Sequence, residues 1–148
     1  MQRVFVAALA AFIAVSSPAF ATPDLGCALS TRVDDVMTVR ALPAALRKLL
    51  APMAELGAPF NKTDVVERGL PSRRLIHAGH RNVTWFVLYE QGGVAYRWHV
   101  LVADVSDTDE AKVLVNKWIP VAWRDGGWKA QGNICTQIDD AFAARPQP

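Results

Sequence analysis

The sequence predicts an α+β domain: an antiparallel meander of four to five strands, one helix before it, a short helix after it, and one disulfide. Three observations predict this. Leu42, Leu46, Leu49, Leu50, Met53 and Leu56 recur at helical spacing. From Arg73 the pattern changes to β-branched and aromatic runs separated by short turns. The two cysteines, Cys27 and Cys135, stand before the first element and at the start of the last helix.

Residues 1–21 read as a signal peptide. Gln2-Arg3 is a short positive start, Val4 to Val15 is an apolar run, and Ala19-Phe20-Ala21 matches an A-x-A cleavage site. The run is too short to cross a bilayer as a helix, and no later segment is longer. The expectation is an exported protein, periplasmic or extracellular, with residues 22–148 as one domain. Export favours a Cys27–Cys135 bridge. A competing reading is a lipid anchor on Cys27. Gly26 fits lipoprotein processing, but Asp24 does not.

The elements follow in order. Val33, Val36 and Met37 fit one face of a short helix capped at Ser30-Thr31, and the run Val36 to Leu42 equally fits an edge strand. The first clear helix starts near Leu42, with Pro43 in its first turn, and Pro52 ends it near Ala51. Residues 60–72 form a connector with room for one helical turn after Asn61 or Thr63. Strands are predicted over Arg73 to Gly79, Val83 to Glu90, Val94 to Asp104 and Lys112 to Trp118, with a short fifth around Gly126-Gly127. Asn133 reads as the N-cap of a helix over Cys135 to Ala144. Asp139-Asp140 would complement that helix's dipole. Both helices are expected on one face of the sheet. Asn61-Lys62-Thr63 and Asn82-Val83-Thr84 match the glycosylation sequon, which matters only in a eukaryotic secretory pathway.

Charge excludes one class of partner. With 16 basic and 14 acidic residues the chain is +2, and no basic run stands out, so nucleic acid has no electrostatic footprint here.

Chemistry concentrates in Tyr89 to His99. A two-residue Gly92-Gly93 loop would set Tyr89 opposite Tyr96, Val87 opposite Trp98 and Trp85 opposite Val100. That face is apolar and is the predicted core. The other face would carry Phe86 and Glu90 with Arg97 and His99, Glu90 and Arg97 lying diagonally. His77 joins Phe86 and His99 if the preceding turn is Arg81-Asn82, and leaves them if that loop is one residue longer.

Three functions follow for these residues. The leading one is a binding module for a protein, small-molecule or sugar ligand, such as an inhibitor of another exported protein. Its contacts would be Phe86, Arg97, His99, Trp118, Trp123 and Trp128, since arginine and tryptophan anchor interfaces. The second is a small hydrolase or metal-dependent enzyme using His77, Glu90 and His99. No G-x-S-x-G accompanies them, and His77-x-x-His80 lacks the helical context of a zinc site. The third is a structural envelope protein joined through its sheet edge. No cofactor is implied.

Overall fold

The computed structural model describes residues 27–106 and 110–143. The signal peptide expectation lies outside these residues. The described order is β1 (Asp34–Val36), a 3-10 turn (Val39–Ala41), α1 (Ala44–Leu50), β2 (Met53–Ala54) and β3 (Arg73–Arg81). Then come β4 (Thr84–Gln91), β5 (Arg97–Val105), β6 (Ala111–Ile119), β7 (Val121–Arg124), β8 (Gly127–Ala130) and α2 (Ile134–Ala143). The fold is α+β, and β3 to β6 are the predicted antiparallel meander. β1 adds to the outer side of β3, so the segment holds an edge strand rather than a helix, but over Asp34–Val36; most of the expected Val36 to Leu42 run is not strand, and Val39–Ala41 is a 3-10 turn. β2 runs parallel to the start of β3. The predicted fifth strand is instead a separate β7–β8 hairpin. Its turn needs positive φ at Asp125 and Gly126, which Gly126 supplies without a Cβ clash.

The first helix is shorter than its leucine spacing suggests. Pro43 stands at its N-cap and Ala51 leaves the helical region before Pro52. Met53 therefore falls on β2, and Leu49 is exposed. In the connector no helical turn forms. The Asn61 side chain organises it instead, accepting from Glu67 N (2.7 Å) and donating to the carbonyls of Leu70 (2.7 Å) and Glu67 (3.2 Å). Asn61 is buried and fully engaged, which closes it to a glycan.

The helices cover opposite faces of the sheet, not one. Leu42, Leu46 and Leu50 pack on Leu75, Ala78, Val87, Tyr89, Leu101 and Ala103. Ile134, Ile138 and Phe142 pack on Ile76, Phe86, Leu88, Val100, Val102 and Ile119. Phe86-Val87-Leu88 and Val100-Leu101-Val102-Ala103 are accordingly buried without a break. Such runs mark strands covered on both sides.

The N-terminal segment is tied to α2 twice. Cys27 and Cys135 form the predicted disulfide, so the Cys27 thiol is engaged. Asp139 then accepts from the backbone N–H of Ser30 (2.8 Å) and Thr31 (3.0 Å), rather than merely facing a dipole. Desolvation works against its charge. The backbone and hydroxyl bonds from Ser30 and Thr31 outweigh it and hold the carboxyl below its usual range. Asn133 caps the helix as expected, its Oδ1 accepting from Thr136 N.

The central hairpin departs from the predicted register. Gln91 pairs with Arg97, Tyr89 with His99, Val87 with Leu101 and Trp85 with Ala103. Residues 92–96 form the connection. An odd slip turns every side chain of one strand to the other face of its partner. The cause is local packing of Gly92. Its N–H donates to Ser72 O (2.9 Å), and a Cβ there would overlap the Asn61 carbonyl oxygen. Gly92 is a point of close backbone approach, and only Gly93 takes positive φ (112°).

The preceding turn is Asn82-Val83, with Arg81 paired to Thr84. A bulge between Leu75 and His77 keeps both Ile76 and His77 on the Phe86 side.

Candidate functional site

The sheet end where β4 stops, β5 starts and β6 stops carries chemistry on both faces. The α2 face holds a closed relay. Trp98 Nε1 donates to the Tyr96 hydroxyl (2.9 Å), which donates to Glu90 Oε1 (2.8 Å). Glu90 Oε2 pairs with Arg74 Nη2 (2.7 Å). Arg74 also donates to Ala58 O and lies over the Phe60 ring. Burial, with the Glu90 carboxylate adding to it, pushes the Tyr96 phenol far above its ordinary range, so it remains a donor. Glu90 is only 7% exposed, and both its oxygens are engaged, Oε1 by the Tyr96 hydroxyl and Oε2 by the Arg74 ion pair. The arrangement pins the 92–96 loop to the connector. Its pairing partner Arg74 also differs from the expected diagonal partner, Arg97.

Beside the relay, Tyr96 packs on Trp128 and Trp128 meets Trp123 edge-on. The Lys62 ammonium lies 5.1 Å from the Tyr96 ring centre and 6.0 Å from that of Trp123. The β7–β8 hairpin thus places Trp123, which is exposed, at the rim of an aromatic cluster.

The α1 face is built differently. Tyr89, His99 and Trp118 form one row across β4, β5 and β6, continuing from Leu75 on β3. The next row outward is Arg73, Gln91 and Arg97. Asn116 stands two residues before Trp118 on β6, facing the same way. Tyr89 and His99 stack with ring centres 5.1 Å apart and planes 10° apart. The Arg73 guanidinium lies 6.0 Å from the Tyr89 ring centre and donates to Leu50 O, the carbonyl at the end of α1. Tyr89 is buried under the helix end, whereas Trp118 is 60% exposed. Burial first, then the positive charges of Arg97 and Arg73, lower the His99 pKa below its usual value, against an opposing contact from Asn116. Neither ring nitrogen makes a well-aligned hydrogen bond. The depressed pKa favours the uncharged imidazole, whose ring stacks on Tyr89.

The predicted residues divide accordingly. Arg97, His99 and Trp118 come together on the α1 face. Trp123 and Trp128 come together on the β7–β8 hairpin. Phe86 has no surface to offer: it is 0% exposed, pressed over Gly79, where a Cβ would stand 2.7 Å from its ring. His77, Glu90 and His99 are not assembled. His77 and Glu90 lie on the α2 face, and the sheet separates them from His99. His77 Nε2 is bonded to Asp35 Oδ1 (2.8 Å), with the ring edge-on to Phe86. No group of three His, Cys, Asp or Glu side chains gathers among the described residues.

Sequence reasoning missed Arg73, Gln91 and Asn116 on the α1 face and Arg74 on the other. The Arg73-Arg74 doublet was the available signal. Adjacent strand residues point to opposite faces, so one doublet serves both surfaces. Comparison with protein-family models, with curated proteins and with solved structures finds no match. Among the described residues no helix is long and apolar enough to cross a membrane.

Proposed function

We propose that the protein is an exported binding module whose partner surface is the open end of the α1 face, formed by Arg97, His99 and Trp118. The observation that carries this reading is the exposure of Trp118 on a face that α1 covers elsewhere. The buried Tyr89 and the stacked His99 make a rigid floor beside it, so an incoming group meets an ordered surface. Tryptophan and arginine on such a floor are the residues that most often dominate interface energetics. Trp118 is open to solvent rather than enclosed, which suits a macromolecular partner better than a small ligand. Inhibition of another exported protein is one activity such a module serves. The signal-like start and the Cys27–Cys135 bridge support the oxidising, exported setting.

The test is retention of envelope proteins on immobilised protein with Trp118→Ala, Arg97→Ala and Trp123→Ala. The expected result is loss of the same partner with Trp118→Ala and Arg97→Ala, and retention with Trp123→Ala, all three melting as the parent does. A partner kept by both α1-face variants refutes the reading. A partner lost only with Trp123→Ala moves the surface to the β7–β8 hairpin.

A further inference from the structure

We propose that the open end of the α1 face docks a carboxylate-rich segment of a partner protein, with Arg97 and Arg73 receiving carboxylates and Trp118 covering the apolar carbons between them. This deepens the binding-face reading and rests on it.

The charge distribution carries the inference. The chain is nearly neutral as a whole, yet its charges are unevenly placed on the sheet. Within β3, β4, β5 and β6 the acidic residues are Glu90 and Asp104. Asp104 is at the far end, accepting from the Thr84 hydroxyl. Glu90 points to the α2 face and is consumed by Arg74 and Tyr96. The near end of the α1 face is thus left with Arg73 and Arg97, beside the exposed Trp118. Among the described residues neither Arg73 nor Arg97 has a carboxylate within salt-bridge distance.

Their donors are only partly used. Arg97 is half-buried, and its Nε donates to the Ala95 carbonyl at 3.3 Å. Arg73 spends one terminal nitrogen on Leu50 O, while its buried Nε has no partner. A guanidinium presents paired N–H groups that match a carboxylate in two parallel bonds. Gln91 lies between the two arginines, and Asn116 lies beyond His99, so amide groups border the site on both sides. An exposed tryptophan, two unneutralised guanidiniums and flanking amides together select an acidic chain with some apolar carbon. They disfavour a basic or purely apolar one.

The experiment titrates the full secreted chain with poly-L-glutamate, poly-L-lysine and polygalacturonate, at about 50 and about 300 mM salt. The expected result is poly-L-glutamate binding that weakens with salt, and no poly-L-lysine binding. Arg97→Glu should weaken it by about tenfold or more, Arg97→Lys by less, since lysine keeps the charge but not the paired geometry. Trp118→Ala should weaken it severalfold without changing the salt dependence. Binding of polygalacturonate alone overturns the proposal in favour of an acidic polysaccharide. So does poly-L-glutamate binding unaffected by Arg97→Glu. If poly-L-glutamate fails to bind while a natural partner is still lost with Trp118→Ala, the acidic chemistry is refuted and the binding face stands. If that partner is retained as well, the binding face itself is refuted.

Discussion

Glu90→Gln tests the relay most directly. The substitution preserves shape and leaves an acceptor for the Tyr96 hydroxyl, but removes the charge facing Arg74 at 2.7 Å. Breaking a fully buried ion pair costs about 3–5 kcal/mol, and an exposed one about 0.2–1 kcal/mol. This pair lies between those limits, because the Glu90 side chain is 9% exposed and that of Arg74 is 25% exposed. Arg74 also keeps the Ala58 carbonyl and the Phe60 face, which offset part of the loss. The expected cost is about 2 kcal/mol, in line with a hydrogen bond to a charged group. For a domain of this size that lowers the melting temperature by roughly 6–8 °C. Glu90→Ala should cost about 1 kcal/mol more, since Tyr96 then loses its acceptor too. The assay is urea unfolding followed by both far-ultraviolet dichroism and tryptophan fluorescence, which averages over the five tryptophans, Trp98 among them. A cycle with Arg74→Met isolates the pair, with a coupling of about 1–2 kcal/mol expected. A Glu90→Gln protein within about 0.5 kcal/mol of the parent, or a coupling near zero, would refute the relay as the clamp on the 92–96 loop.

Three further outcomes follow from the same structure. Reducing the Cys27–Cys135 bridge, which spans 108 residues of sequence, should remove about 4–5 kcal/mol by the loop-entropy relation; unfolding midpoints with and without reductant check it, and an unchanged midpoint contradicts a structural staple. Gly92→Ala should destabilise by about 2 kcal/mol or more through overlap with the Asn61 carbonyl, whereas Gly93→Ala, with open space around it, should cost only its positive-φ penalty of about 1 kcal/mol; equal effects would mean that the 60–62 backbone yields freely. The His99 imidazole should titrate below the ordinary histidine value and move upward in Arg97→Gln. Because its folded pKa is depressed, the unfolded chain takes up the proton first, so this contribution to stability is present above about pH 6.5 and is lost as pH falls through the folded value. Proton NMR titration of the parent and the variant reads both shifts, and a His99 pKa at or above the ordinary value would disprove the cationic neighbourhood.

Much of the fold was legible because it rests on local rules. The strands β3 to β6, the Asn133 cap and the cysteine pair all appear where spacing and punctuation place them. The two-sided burial was not read: the unbroken Phe86-Val87-Leu88 and Val100 to Ala103 runs carry its signal, but alternation around the hairpin suggested a single apolar face. The α1-face site was legible only in part. Arg97, His99 and Trp118 stand out as residue types, but their company does not: Tyr89 was assigned to the core beside Tyr96, and His99 to the face of Phe86.

The sequence alone determined which residues share a face in an unbroken strand such as β4, since backbone pleating dictates that Tyr89 and Val87 point one way and Glu90 and Leu88 the other; the bulge in β3 breaks that alternation. Tertiary structure decided how those faces match between strands. That match turned on a contact remote in sequence, Gly92 against Asn61, which moves the pairing by an odd number of residues. One such step puts His99 beside Tyr89 and Trp118 instead of Phe86, leaves Arg97 without Glu90, and so separates a buried structural relay from an open cationic, aromatic surface.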